Sequence, residues 1–343
     1  MQALVWRGPY LHEADSIDAP VPGPGEVLVR VAVVGICGSD LTAHKGLMGI
    51  AKPGSVRGHE FAGTVQAVGV STGLPDAAAR PVADAALSPG TRVTVNPVLS
   101  CGHCRSCLGG RPSACEAIQI IGVHRPGAFA ELVIAPADHV HPIPDGMGWE
   151  TAASCEPLAQ ARHDVARAAE LGTLGECLVI GSGSIGLWIV HALRLEGALS
   201  ITVVDPDASR RDAALEAGAA AFLPSVDDVP PAAFDTVFDV VGIAATRGPA
   251  IACARNGGTV VSVGLAADEV SIPWFDLVRR EITVRGANTF APEDFAVALA
   301  WLADGSVPPP PTSRLLPLAA GGDTFAALVD HTDPFTGKTF FAP

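Results

Sequence analysis

The stretch CLVIGSGSIGLWIVHALRL (177–195) does more than any other to fix the architecture. A short apolar, β-branched run stops at GSGSIG, and a helical pattern begins inside the motif. A bare G-x-G-x-x-G says little, but a strand before it and a helix after it define a strand–turn–helix unit. Gly181 permits the tight turn, Gly183 lets backbone approach a ligand closely, and Gly186 lets helix and strand pack. Ser184 and Ile185 stand at the helix start, where free N–H groups and the positive dipole end suit a phosphate. The alternation continues through ITVVDPDASRRDAALEAGA, TVFDVVG, GGTVVSVG and EITVRG. Strands spaced by helices predict an α/β region with a doubly wound parallel sheet over residues 156–288.

Asp205 ends the strand ITVVD, nineteen residues after Gly186. A carboxylate there accepts hydrogen bonds from an adenosine ribose and repels a 2′-phosphate. NAD is therefore expected as cofactor. Arg210 and Arg211 keep NADP open, because either can flank the adenine or meet a 2′-phosphate.

The first part of the chain reads differently. EVLVRVAVVGICGSD (26–40), FAGTVQAVGV (61–70), TRVTVNPV (91–98) and AFAELVIAPADHVHPIP (128–144) have strand patterns separated by turns. A mostly-β domain over 1–155 follows. STGLPDAAARPVADAALSPG (71–90) has no clean period and reads as a surface excursion. EPLAQARHDVARAAEL (156–171) has helical spacing, as does EDFAVALAWLADG (293–305). The prolines 308–311 read as a stiff connector. GKTFFAP reads as a last strand returning to the first domain, which residues 289–343 would complete. Two domains suit 343 residues.

Half of the eight cysteines fall in CGHCRSCLGGRPSAC. Cys101, Cys104, Cys107 and Cys115 follow C-x2-C-x2-C-x7-C, and four thiolates with no open position suit a closed structural zinc. An iron–sulfur cluster is the rival, and disulfides are a weaker one. The N-terminus lacks a basic start followed by an apolar run, so a cytoplasmic setting is expected, where thiols stay reduced. His103 inside the loop is surplus to the four sulfurs. A closed site performs no chemistry, so the reactive centre is sought elsewhere. The net charge of −14 argues against nucleic acid or an anionic membrane as partner. No run of about twenty apolar residues suggests a membrane span.

CGSD (37–40) and GHE (58–60) carry Cys37 and His59 at strand ends. Glu156, after Cys155, opens the helix where the pattern changes. A thiolate, an imidazole and a carboxylate make a three-ligand zinc with an open fourth position, the catalytic kind.

Taken in order, CGSD, GHEFAG (58–63), the cysteine loop, and EPLA (156–159) before GSGSIG resemble the zinc-dependent medium-chain alcohol and polyol dehydrogenases, most closely the sorbitol/threonine/cyclitol branch. The resemblance covers nearly the whole chain. It implies a GroES-like catalytic domain built from both chain ends, with a Rossmann domain between. It also implies catalytic zinc on Cys37 and His59, with Glu60 or Glu156 as third ligand and the other carboxylate behind it. Ile185, Asp205 and Arg210 would flank the cofactor. Backbone at Val263, Gly264, Leu265, Ala287, Asn288 and Thr289 would lie near the nicotinamide. Ser39 matches the hydroxyl that takes the substrate proton. The family histidine that finishes the relay is replaced by Thr42, which leaves water or His44. Sorbitol dehydrogenases carry an Arg-Tyr pair where Thr289 and Phe290 stand, so a different polyol, cyclitol or sugar-derived secondary alcohol is expected, or its ketone. Trp274, Phe275 and Phe290 offer an apolar wall, core packing or an oligomer contact. The resemblance also implies a homodimer or homotetramer. A zinc-free reductase of enones or quinones on the same fold is the alternative.

Overall fold

β-Branched residues in the first third pair into antiparallel sheets. The computed structural model describes residues 1–69, 87–310 and 312–343. Most of the Ala/Pro-rich excursion therefore lies outside the described residues. β1 (Gln2–Gly8), β2 (Leu11–Ser16) and β3 (Glu26–Gly35) lead into helix α1 (Gly38–His44). β4 (Ser55–Val56), β5 (Glu60–Val68) and β6 (Arg92–Val95) follow. The hairpin β7 (Val98–Leu99) and β8 (Gln119–Ile120) carries the cysteine loop and the single helical turn α2 (Arg105–Leu108). β9 (Leu132–Pro136), β10 (Val140–Pro142) and α3 (Trp149–Ala153) complete this stretch, and α4 (Cys155–Ala169) then leaves it.

The alternating half forms the parallel sheet that its pattern predicts. Its strands are β11 (Glu176–Ile180), β12 (Ser200–Val204), β13 (Ala221–Leu223), β14 (Phe234–Asp239), β15 (Ala254–Ser262) and β16 (Thr283–Gly286). They order as β13-β12-β11-β14-β15-β16, every pair parallel. Helices α5 (Ser184–Leu195), α6 (Arg211–Ala217), α7 (Ala244–Cys253) and α8 (Trp274–Arg279) make the crossovers. Leu178, Ile180, Val237 and Val260 lie in its core, buried as parallel strands require.

α9 (Pro292–Ala303) leads back, and β17 (Ser313–Pro317), α10 (Gly321–Val329) and β18 (Lys338–Ala342) end the chain. β18 inserts beside β3, giving the order β10-β6-β5-β3-β18-β17 with β9 also on β3. The chain divides into one unit of Met1–Glu156 with Leu299–Pro343 and a second of Pro157–Ala298. Among the described residues, no helix is long and apolar enough to cross a membrane.

One polar contact is built into the core of the first unit. His12 of β2 and His44 of α1 meet through their Nδ1 atoms at 2.8 Å, and both rings stack on Phe325 of α10. Burial, then the charges of His44 and Arg57, lowers the His12 pKa from 6.5 to about 3. Between these values the unfolded chain holds a proton that the folded chain does not. Stability therefore falls as pH drops through this window, by about 1.4 kcal/mol per pH unit for one such group. His12→Phe is expected to flatten that slope. Urea midpoints at about pH 7 and about pH 5 check it: an unchanged difference would exclude His12 as the source.

Candidate active site and cofactor site

Antiparallel pairing of β3 with β5 assembles the first site. Gly35, the last residue of β3, is in register with Glu60, the first of β5. Cys37 lies two residues past that pair and His59 one residue before it, so all three gather at one end of the sheet. Cys37 caps α1, a short helix where the sequence suggested only a turn; its N–H donates to Asp40 Oδ2 at 3.1 Å. One donor atom each from Cys37, His59 and Glu60 lies within 4.8 Å of the others. Glu156 falls outside this group. It follows α3, which packs Ala152 and Ala153 on Val33, Ala62 and Phe340. Thr94 Oγ1 donates to the Ala152 carbonyl at 2.9 Å and pins that packing.

The electrostatics show that Glu156 is close nonetheless. Burial, helped by Glu60 and Cys37 and opposed by His59, raises its pKa to about 8. Burial, then Glu60 and Asp40, pushes the Cys37 thiol up to about 12 against Lys338 and a hydrogen bond from Ser39. A proton-holding pocket of this kind releases protons when a cation enters. A thiolate, an imidazole and a carboxylate converging with one position to spare fit a catalytic zinc.

Three contributors escaped the sequence reading. Asp40 Oδ1 faces His59 Nδ1 at 3.9 Å and accepts from Arg57 Nε at 3.4 Å. Arg57 itself is only 1% exposed. Lys338 pairs with Glu60 and donates to the Ile36 carbonyl at 2.9 Å. The one available signal for Lys338 was its place two residues before the apolar Phe340 in KTFFA, which puts both on one face of a strand. His44 does not lie on the surface: it is 1% exposed and engaged with His12.

The four loop cysteines come together as their spacing predicts, with sulfur or equivalent donor atoms all within 4.8 Å. Cys101 and Cys107 sulfurs are 4.0 Å apart, and those of Cys104 and Cys115 are 3.9 Å apart. Backbone N–H groups of Cys107 and Glu116 pull Cys104 down to about 6, which favours a thiolate. Four sulfurs and no open position fit a structural zinc.

In the second unit the cofactor candidates line the C-terminal ends of parallel strands. Gly181 leaves β11 with its N–H on the Val204 carbonyl, and Gly183 precedes α5. A Cβ at Gly183 would meet nothing nearer than Arg210 Nη1 at 3.9 Å, so the space over the turn is open to a pyrophosphate. Ser184, Ile185 and Gly186 form the first turn of α5. Asp205 is 3% exposed and accepts from Ser182 N–H at 2.7 Å, Asp207 N–H at 2.9 Å and Arg210 Nη1 at 3.0 Å. Val263 and Gly264 follow β15, both N–H groups on the Asp239 carbonyl, and Leu265 is exposed. Ala287, bonded to the Ser262 carbonyl, Asn288 and Thr289 follow β16; Thr289 is held at a φ of 50°. Phe290 is buried against Phe295, whereas Trp274 and Phe275 are 64% and 78% exposed.

Family models agree with both halves. Residues 23–145 match the alcohol dehydrogenase GroES-like domain, and residues 184–304 match the zinc-binding dehydrogenase domain. L-Galactonate-5-dehydrogenase of Escherichia coli (strain K12) is 32% identical over 318 residues, 89% of this chain and 85% of that one. The chain belongs to the zinc-dependent medium-chain dehydrogenases. The fold of this dehydrogenase is shared with L-idonate 5-dehydrogenase from Escherichia coli K-12, with a TM-score of 0.85, 27% identity and coverage of 100% and 98%. It is shared equally with a protein of Sinorhizobium meliloti 1021 described as a zinc-binding dehydrogenase and bound to NADP. There the TM-score is 0.85 and the identity 30%, over 100% and 99% of the two chains. The dehydrogenase acts on small molecules through an alcohol or its ketone.

Proposed function

We propose that this dehydrogenase uses catalytic zinc and NAD to oxidise a secondary hydroxyl of a polyol, cyclitol or sugar-derived alcohol, and to reduce the matching ketone. The convergence of Cys37, His59 and Glu60 on one end of the sheet carries the reading. When bound, zinc supplies a Lewis acid that favours the ionised form of a substrate hydroxyl, and NAD takes the hydride. Ser39 Oγ, hydrogen-bonded at Cys37, receives the substrate proton. Asp40 places negative charge 3.9 Å from His59 Nδ1, and Glu156 supplies a second carboxylate near the donor set. The similarity to a galactonate and an idonate dehydrogenase supports a polyhydroxylated, sugar-derived substrate. A screen of polyols, cyclitols and sugar acids for NAD reduction, with chelator and zinc add-back, tests the reading. Turnover that chelation removes and zinc restores is expected. Turnover indifferent to chelation, with at most the loop ion present, would instead favour a zinc-free reductase.

Asp205 supports NAD over NADP, because its carboxylate sits at the end of β12 where a 2′-phosphate would have to approach. Asp205→Ala is expected to shift the ratio of kcat/KM toward NADP by at least about tenfold, roughly 1.4 kcal/mol. A wild type that already prefers NADP, as the bound cofactor of the Sinorhizobium protein makes worth measuring, would overturn this account. A homodimer is the proposed assembly. Leu265, Trp274, Phe275, Val278 and Val284 are exposed around the open edge of β16. Trp274→Glu is expected to halve the mass measured in solution, and an unchanged mass would remove this face from the assembly.

A further inference from the structure

Lys338 is a buried cation that the chemistry above leaves without a task. It opens β18 with a side chain only 10% exposed, donates to the Ile36 carbonyl at 2.9 Å and pairs with Glu60 Oε2. An ammonium is costly to bury unless its charge is matched. Three neighbouring strands show what the match accomplishes. Glu60 of β5 stands opposite Gly35 of β3, and Gly35 stands opposite Phe340 of β18, two residues on from Lys338. Cross-strand partners and residues two apart share a face, so Glu60, Gly35, Lys338 and Phe340 lie on one side of the sheet. A Cβ at Gly35 would fall 2.5 Å from Glu60 Oε2, 3.0 Å from Lys338 Cε and 3.3 Å from Phe340 Cε1. The missing side chain makes the room in which the two charges meet.

We propose that Lys338 is a positioning residue for Glu60, holding Oε2 over Gly35 so that only the other carboxylate oxygen is free for the ion. The proposal rests on Cys37, His59 and Glu60 being the metal set. Its consequence is a count of coordination positions. A carboxylate that offers one oxygen leaves the fourth position to substrate. A carboxylate released from Lys338 would be free to offer both oxygens to a bound ion and to take up that position.

Cobalt(II) exchanged into this site, with zinc kept in the cysteine loop, reads the count directly. Four-coordinate cobalt absorbs strongly in the visible, and higher coordination weakens the bands. The wild type is expected to give the strong spectrum. Lys338→Met is expected to weaken it and to lower turnover by about 10–100-fold, with NAD affinity unchanged. Gly35→Ala crowds the same carboxylate from the other side and is expected to move the spectrum likewise. In a Glu60→Gln background, Lys338→Met should add no further spectral change, because the group it holds has lost its charge. A wild-type spectrum in Lys338→Met, or the same change with and without Glu60, would overturn the proposal and leave Lys338 a structural residue. Failure of the underlying metal reading looks different: cobalt bands in the wild type would then be insensitive to Cys37→Ser. Circular dichroism of each variant separates these outcomes from misfolding.

Discussion

Cys37→Ser is expected to lower kcat by at least about 10³, because the loss of several kcal/mol of charge stabilisation multiplies the rate cost tenfold for each ~1.4 kcal/mol. Cys37 is the one thiolate among the three gathered donors, and a serine hydroxyl is a poor ligand that does not ionise in its place. The pocket sharpens the effect. Burial, Glu60 and Asp40 already hold the Cys37 proton up to about 12, so only a bound cation makes that position anionic. The four-cysteine loop has its own donors, so metal content should fall by one ion per chain and not by two. The glycine turn belongs to the second unit and Cys37 to the first, so NAD should bind as before. Metal analysis, steady-state turnover and an NAD titration on the same preparation check all three. Loss of NAD affinity with metal content unchanged would falsify the assignment of Cys37.

The parts of this protein legible in its sequence are those whose chemistry is local. GSGSIG between a strand and a helix specifies its own turn, and the repeated alternation specifies a parallel sheet. The cysteine loop is legible for the same reason, since fifteen residues contain the whole donor set. Cys37, His59 and Glu60 were readable as residue types, while their meeting depends on the Gly35–Glu60 register, which no short window contains. Lys338 is the extreme case. It reaches the Ile36 carbonyl across 302 positions, and a lysine at the start of a strand reads as solvent-exposed. Arg57 misleads in the same way, because its burial depends on Asp40 and Met48 accepting from its guanidinium. The burial of His44 was not legible because its partner His12 sits on a strand 32 positions earlier. The choice between Glu60 and Glu156 is likewise three-dimensional. One sits on the sheet in register with Gly35, and the other arrives on a helix.

Two glycines of the same motif are expected to fail for different reasons when changed to alanine. At Gly186 a Cβ would stand 1.9 Å from the Gly181 carbonyl oxygen and 2.9 Å from its carbon. Both are backbone atoms of the turn, so α5 and β11 must move apart. Overpacking of this kind typically costs about 1–3 kcal/mol, and the damage appears without any cofactor present. At Gly183 the φ of −66° suits any residue, and a Cβ there meets only Arg210 Nη1 at 3.9 Å. Gly183→Ala should therefore leave cofactor-free stability within about 0.5 kcal/mol. Its methyl group instead occupies the approach to the helix N-terminus that a pyrophosphate requires, and NAD affinity should fall by at least about tenfold. Thermal unfolding without cofactor and NAD titration separate the two variants, where an activity assay alone would show both as impaired. If Gly183→Ala bound NAD as the wild type does, the pyrophosphate could not lie over this turn. The small residue at 183 would then have no explanation in the chain itself, since the protein leaves that space empty.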